Sequence, residues 1–181
     1  MSRALKLLFF VFVLAGCASI KTHLIKTPGK LYQGKIWWKL EVIQNHEKKV
    51  NGGYAWFCAS SNFLVVELKT PFNSELAIIR WNKQNPEKIF LYDLFHKQEV
   101  IFVINNEEAQ ALPLYFLGKK GKKKKFFLFK KPVFYTFSEN KGEVKGENFN
   151  ILWKFKNVKE AKECSVPFPN TKDFKKLVIT F

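Results

Sequence analysis

Lys35-Ile36-Trp37-Trp38-Lys39-Leu40-Glu41-Val42 sets the class of the fold. Ile36, Trp38, Leu40 and Val42 fall on one side at a period of two, opposed by Lys35, Trp37, Lys39 and Glu41, which is the pattern of a half-buried β-strand. Gly34 opens this strand, and the segment Asn45 to Gly53, with Asn51-Gly52-Gly53, reads as the turn after it. Tyr54 to Cys58, Phe63 to Thr70 and Glu75 to Trp81 follow as apolar runs bounded by Asn, Ser or Pro, so these four runs form an antiparallel meander. Ile89 to Tyr92 and Glu99 to Ile104 continue it beyond the break at Asn85-Pro86. Residues 107–117 suit a short helix interrupted at Pro113. Strand character returns from Phe126 through Phe129, at Phe134 to Phe137, at Asn150 to Phe155 and at Leu177 to Phe181. About nine strands with little helix predict a mainly β fold, a large curved antiparallel sheet that must roll up or be covered to hide its apolar face.

A chain of 181 residues suits one ordinary domain, and no internal repeat divides it. A hydrophobic fraction of 47% and a charged fraction of 25% are globular values. The aromatic share of 17% favours strands. Lys and Arg number 31 against 15 Asp and Glu, a formal net charge of +16. Only Arg3 and Arg80 are arginines, and Lys, Phe, Asn and Ile share AT-rich codons, so base composition accounts for part of the lysine excess. The scarcity of acids still points to an anionic partner. Lysine without arginine argues against nucleic acid, because base readout relies on bidentate arginine, and favours a diffuse phosphate surface such as lipid headgroups. Metal and acid/base chemistry is poorly supplied by His23, His46, His96, Asp93 and Asp173. The chain has no HExxH, GxSxG or phosphate-loop motif, and the expectation is a non-enzyme without cofactor or metal.

Arg3 and Lys6 precede an unbroken apolar run from Leu7 to Gly16. Ten helical residues reach about 15 Å, half of a hydrocarbon core of roughly 30 Å, which suits a secretory signal peptide and not a span. The run ends in Leu14-Ala15-Gly16-Cys17, which resembles the bacterial lipobox. That resemblance implies cleavage of residues 1–16 and a diacylglyceryl-modified, N-acylated Cys17. Two or three acyl chains hold a protein to a membrane essentially permanently. Ala18 at the following position resembles the pattern sent on to the outer membrane, so the chain is expected on its periplasmic face, lipid-anchored. Residues 17–33, with Pro28 and Gly29, read as a tether and residues 34–181 as the single domain. Cys58 and Cys164 remain, and in an oxidising periplasm they either pair or stay as two separate buried thiols.

The stretch from Lys49 to Leu76 resembles the LolB family of outer-membrane lipoprotein receptors. The matching elements are Trp56 at a strand end, the turn Ala59 to Asn62, the strand Leu64 to Leu68, and the loop Thr70-Pro71-Phe72-Asn73-Ser74-Glu75-Leu76. Gly34, Leu114 to Gly118 and Pro167-Phe168-Pro169 fit more loosely, and Asn73 stands where the family has glycine. The resemblance implies a half-open β-barrel of LolA/LolB type, lined with apolar side chains and lidded by a few short helices. It implies a monomer that accepts lipoprotein clients by their acyl chains from a LolA-like carrier and delivers them to the outer membrane. Three acyl chains carry roughly 45 methylenes at about 0.8 kcal/mol each, so the handover needs a continuous apolar surface.

On that reading Trp38, Leu40, Tyr54, Trp56, Leu64, Val66 and Leu68 line the acyl cavity, and Pro71, Phe72 and Asn73 form the loop that touches the bilayer. The bland alternatives are a closed core filled by the same stripe and a Phe72 folded back onto it. Lys119-Lys120-Gly121-Lys122-Lys123-Lys124-Lys125 reads either as a solvated loop or as a docking element for anionic headgroups or an acidic carrier, aided by Phe126-Phe127. The competing function is a basic envelope-anchored lipoprotein that binds peptidoglycan or lipopolysaccharide without an acyl cavity.

Overall fold

The Lys35–Val42 alternation lies within a much longer strand, β2 (Leu31–Gln44), which forms the spine of the molecule. On one side β2 pairs with β3 (Glu47–Ala59) over its whole length, from Gln44 opposite Glu47 to Tyr32 opposite Ala59. On the other it pairs with β11 (Phe149–Ala161), from Val42 opposite Phe149 to Leu31 opposite Ala161. The computed structural model describes residues 21–25, 30–44, 47–70, 74–104, 111–119, 121–128 and 131–180.

From β3 the sheet continues as an antiparallel meander through β4 (Phe63–Lys69), β5 (Glu75–Asn82), β6 (Lys88–Asp93) and β7 (Gln98–Val103). From β11 it continues through β10 (Lys141–Lys145), β9 (Lys131–Ser138) and β8 (Lys123–Leu128). The last strand, β13 (Lys175–Thr180), returns to lie parallel to β7. The result is one open sheet of eleven strands, in the order β13-β7-β6-β5-β4-β3-β2-β11-β10-β9-β8. A separate two-stranded ribbon joins β1 (Lys21–Ile25) to β12 (Cys164–Phe168). The mainly β expectation holds, with thirteen described strands in place of about nine.

Each face of the sheet has its own cover. Ile36, Trp38, Phe57, Leu64, Val66, Trp81, Tyr135, Trp153 and Phe155 form one core beneath the short helix α1 (Leu112–Phe116). Leu31, Cys58, Phe63, Val65, Ile78 and Tyr92 form another on the opposite face, closed by Cys164 and Val166 of the ribbon and by Phe174. A covalent bond between Cys58 and Cys164 ties the ribbon to β3, so the two cysteines left open by the sequence are paired. The run Leu64-Val65-Val66 is buried residue after residue because β4 is covered on both faces.

Three expectations change. β2 and β3 stay paired as far as Gln44 opposite Glu47, and Asn51-Gly52-Gly53 lies inside β3. Gly53 is needed there for close approach, since a Cβ on it would meet the Lys69 carbonyl oxygen at 2.2 Å. The stretch read as tether contributes structure: Lys21–Ile25 is a ribbon strand, and Leu31 is buried in the second core. Pro113 sits in the first turn of α1 and does not interrupt it, because a first-turn amide has no intrahelical partner to lose.

The disulfide closes a separation of 106 residues, which in the chain-entropy account is worth about 5 kcal/mol. Reduction should therefore lower Tm by about 10 °C in a thermal scan of oxidised against reduced protein. Superimposable scans would contradict the stabilising role of the ribbon clamp.

Candidate functional site

The helix-covered face is the largest apolar feature of the molecule. Strand pleating puts Ile36, Trp38 and Leu40 of β2 beside Ala55, Phe57 and Ala59 of β3 and Leu64, Val66 and Leu68 of β4. Across β2, the same face carries Trp153 and Phe155 of β11 and Tyr135 and Phe137 of β9. Aromatic rings dominate the centre of this surface. Phe116 of α1 drops into it, with its ring centroid 5.2 Å from Phe57, 5.4 Å from Phe155 and 5.9 Å from Trp153. Tyr115 meets Tyr135 edge-on at 5.1 Å.

Two side chains of the sheet hold the helix by its backbone. The Tyr135 hydroxyl donates to the Tyr115 carbonyl at 2.7 Å, and Trp153 Nε1 donates to the Phe116 carbonyl at 3.1 Å. These bonds answer two of the orphan carbonyls that end any helix. Burial, reinforced by Tyr115, pushes the Tyr135 hydroxyl up to about 12, so it remains a donor at physiological pH. The chain itself closes the others, Leu117 N–H donating to Pro113 and Lys119 N–H to Leu114, and Gly118 N–H adds a second bond to the Tyr115 carbonyl. That pattern requires Gly118 in the left-handed region, where its φ is +70°, and a Cβ there would strike the Phe137 ring at 2.3 Å. The helix is otherwise weakly built. It has no side-chain N-cap and neither an acid in its first turn nor a base in its last.

Of the residues expected to line an acyl cavity, Trp38, Leu40, Leu64, Val66 and Leu68 lie on this face. Tyr54 and Trp56 do not. Gly53 opposite Trp38 and Ala55 opposite Ile36 fix the pleat of β3, so its alternate residues Tyr54 and Trp56 point to the other face, 39% and 49% exposed. Ala55, Phe57 and Ala59 take the interior places. Cys17 and the loop Pro71, Phe72 and Asn73 lie outside the described residues. The loop's flanks are pinned: Thr70 N–H donates to the Ser74 carbonyl at 2.9 Å, and Ser74 N–H to the Thr70 hydroxyl at 3.2 Å. The lysine run is partly structured, with Lys123 to Lys125 opening edge strand β8 and Lys119 Nζ 3.6 Å above the Tyr32 ring.

The residues that organise this face and escaped the sequence reading are Phe57, Tyr135, Trp153 and Phe155. The alternation Val133, Tyr135, Phe137 was visible, but Phe134 within it blurred the phase. Two clefts, of about 460 and 710 Å³, lie on the opposite face: one beside the disulfide, lined by Trp56, Glu67 and Pro167, the other beside Arg80, Phe90 and Tyr92. No family model and no curated protein matches the chain.

The helix clamp is testable by stability. Tyr135→Phe, which removes one of the two bonds to the Tyr115 carbonyl, should cost about 0.5–1.5 kcal/mol. Gly118→Ala should cost at least about 1 kcal/mol through its left-handed φ and the Phe137 clash. Urea denaturation reads both, and wild-type midpoints in both variants would mean that α1 is not clamped to the sheet.

Proposed function

We propose that the chain is an acyl-chain acceptor of the LolB kind, an outer-membrane lipoprotein receptor that takes lipoproteins from a LolA-like carrier and passes them to the membrane. The observation that carries the reading is a continuous apolar face closed by one five-residue helix. That helix occupies the place of a ligand. In this reading acyl chains take its place on the face, and three chains of roughly 45 methylenes in all bury more apolar surface than the few side chains of the helix expose on leaving. A detachable cover must be weakly self-stabilised, and α1 meets this by drawing its stability from the sheet it covers.

The finer shape, a half-barrel around the helix, has support in the reach of α1. A five-residue helix is only about 7.5 Å long, yet its rings meet Phe57 of β3, Trp153 and Phe155 of β11 and Tyr135 of β9. In a flat sheet four strand spacings would separate β3 from β9 by about 19 Å. The anchor belongs to the same reading, with lipid on Cys17 and Phe72 at the tip of a delivery loop. A second reading, a basic envelope lipoprotein without an acyl cavity, is favoured by one observation: aromatic side chains fill the helix-covered face, and both large clefts lie elsewhere.

Transfer of a labelled lipoprotein from carrier to protein, and then from protein to liposomes, separates the two. Leu68→Glu puts a carboxylate on the helix-covered face and should lower acceptance about tenfold or more. Phe72→Glu should leave acceptance intact and lower delivery by about tenfold, since full burial of a Phe is worth roughly 1.5–3 kcal/mol. Trp56→Glu, on the other face, should leave acceptance unchanged. Wild-type protein that accepts nothing would support the second reading. Metabolic palmitate labelling of the protein should vanish in Cys17→Ala, and labelling that persists on it would remove the anchor assignment.

A further inference from the structure

The ribbon covers only part of its face of the sheet. Over β4 to β6, and at Leu31, Cys58 and Ala161, that face is buried against β12 and Phe174, but the rest of it, from Tyr54 of β3 across Trp37 of β2 and Lys154 of β11 to β10 and β9, contributes no residue to the ribbon core. Cross-strand register sorts this bare area into rows. In one row Lys141 stands opposite Lys154, Lys154 opposite Trp37, Trp37 opposite Tyr54 and Tyr54 opposite Lys69. Another sets Phe134 opposite Lys145, and Lys39 faces out beside Leu152.

Lysines and aromatic rings therefore stand together on this bare face. Tyr54, Trp56 and Phe134 are 39%, 49% and 48% exposed, and Lys35 Nζ sits 4.3 Å over the Tyr54 ring. The few acids here are already engaged. Glu41 is held by Lys39 at 2.6 Å and Lys48 at 3.0 Å, Glu67 by Lys69 at 3.1 Å, and Glu143 accepts from Asn150 Nδ2 at 2.9 Å. An ordinary solvated face mixes both signs of charge and exposes few large aromatics.

We propose that this bare face docks on an anionic phospholipid headgroup layer. Lysine ammoniums are drawn to such a layer, and Trp and Tyr rings are at home at headgroup depth. Nucleic acid is the poorer match, because Arg80, the arginine of the described sheet, lies under the ribbon against Phe168 and not on this surface. The orientation rests on the lipid-anchored reading of Cys17. Three residues lie between Cys17 and Lys21 of β1, and the four residue steps reach at most about 14 Å; β1 belongs to the ribbon on this same face. An acyl anchor there holds this face toward the bilayer.

Lysine acetylation read by mass spectrometry tests the proposal on the unmodified full chain. The protein is mixed with phosphatidylcholine vesicles, with or without phosphatidylglycerol, and labelled at low and high salt. Labelling of Lys39, Lys141, Lys145 and Lys154 should fall severalfold on the anionic vesicles and recover at high salt, while Lys83 and Lys97, on turns at the other end of the sheet, stay unchanged. Equal labelling on both vesicle types, or protection of Lys83 and Lys97 instead, would overturn the proposal. Protection by peptidoglycan sacculi but not by anionic vesicles would overturn it in favour of a polymer partner. The readout involves no acyl transfer, so a failed transfer assay with this protection intact removes the acceptor reading alone.

Discussion

A single sheet with apolar residues on both faces of its central strands cannot stand in water, and this constraint shapes the rest of the molecule. In β4, Leu64 and Val66 point one way and Phe63 and Val65 the other, all four buried. The chain meets the demand with two unlike covers. One is a ribbon fixed by a covalent bond between Cys58 and Cys164. The other is a helix of five residues, held by hydrogen bonds from Tyr135 and Trp153 and by stacked rings. A covalent cover is permanent, whereas a cover of hydrogen bonds and dispersion contacts opens when something of like chemistry takes its place. The proposed division of labour follows from this asymmetry: the fixed side toward the membrane, the removable side toward acyl chains.

The strand class and much of the meander were legible because β2 alternates without interruption and polar residues mark its outer phase. β3 lacked such marks. Its stretch Tyr54-Ala55-Trp56-Phe57-Cys58 is apolar on both faces, so size suggested Tyr54 and Trp56 for the interior, while register with β2 selected Ala55 and Phe57. The small residues there are no accident of composition, since Ala55 and Ala59 leave room for the rings of Phe57 and Phe116 between them. The turn after β2 was misplaced for a related reason: Gly52 and Gly53 serve close approach within the sheet and not reversal of the chain. The ribbon was illegible, because β1 pairs with a strand more than 130 residues away and carries no periodic signal of its own.

Lysine content, read along the sequence, has two explanations, codon bias and an anionic partner. Placement on the sheet separates them, because codon bias distributes lysine without regard to face. On the helix-covered side, residues 34–42 of β2, 53–59 of β3 and 64–68 of β4 carry no lysine, and Lys49 enters that phase only at the exposed far end of β3, whereas Lys35, Lys39 and Lys69 stand on the other side among exposed rings. The run at Lys119–Lys125, the most conspicuous charge feature of the sequence, instead caps α1 and opens an edge strand, where Lys119 stacks on Tyr32. Charge on an edge strand also discourages pairing with another chain.

The account turns on whether α1 leaves the sheet when acyl chains arrive. Hydrogen exchange of residues 111–119, followed with and without a long-chain acylated lipopeptide, measures this directly. The account predicts that the amides of Tyr115 to Lys119 lose protection when the lipopeptide binds, while those of β2 and β3 keep theirs. Saturating lipopeptide with α1 protection unchanged, or with protection lost throughout the sheet, would contradict it.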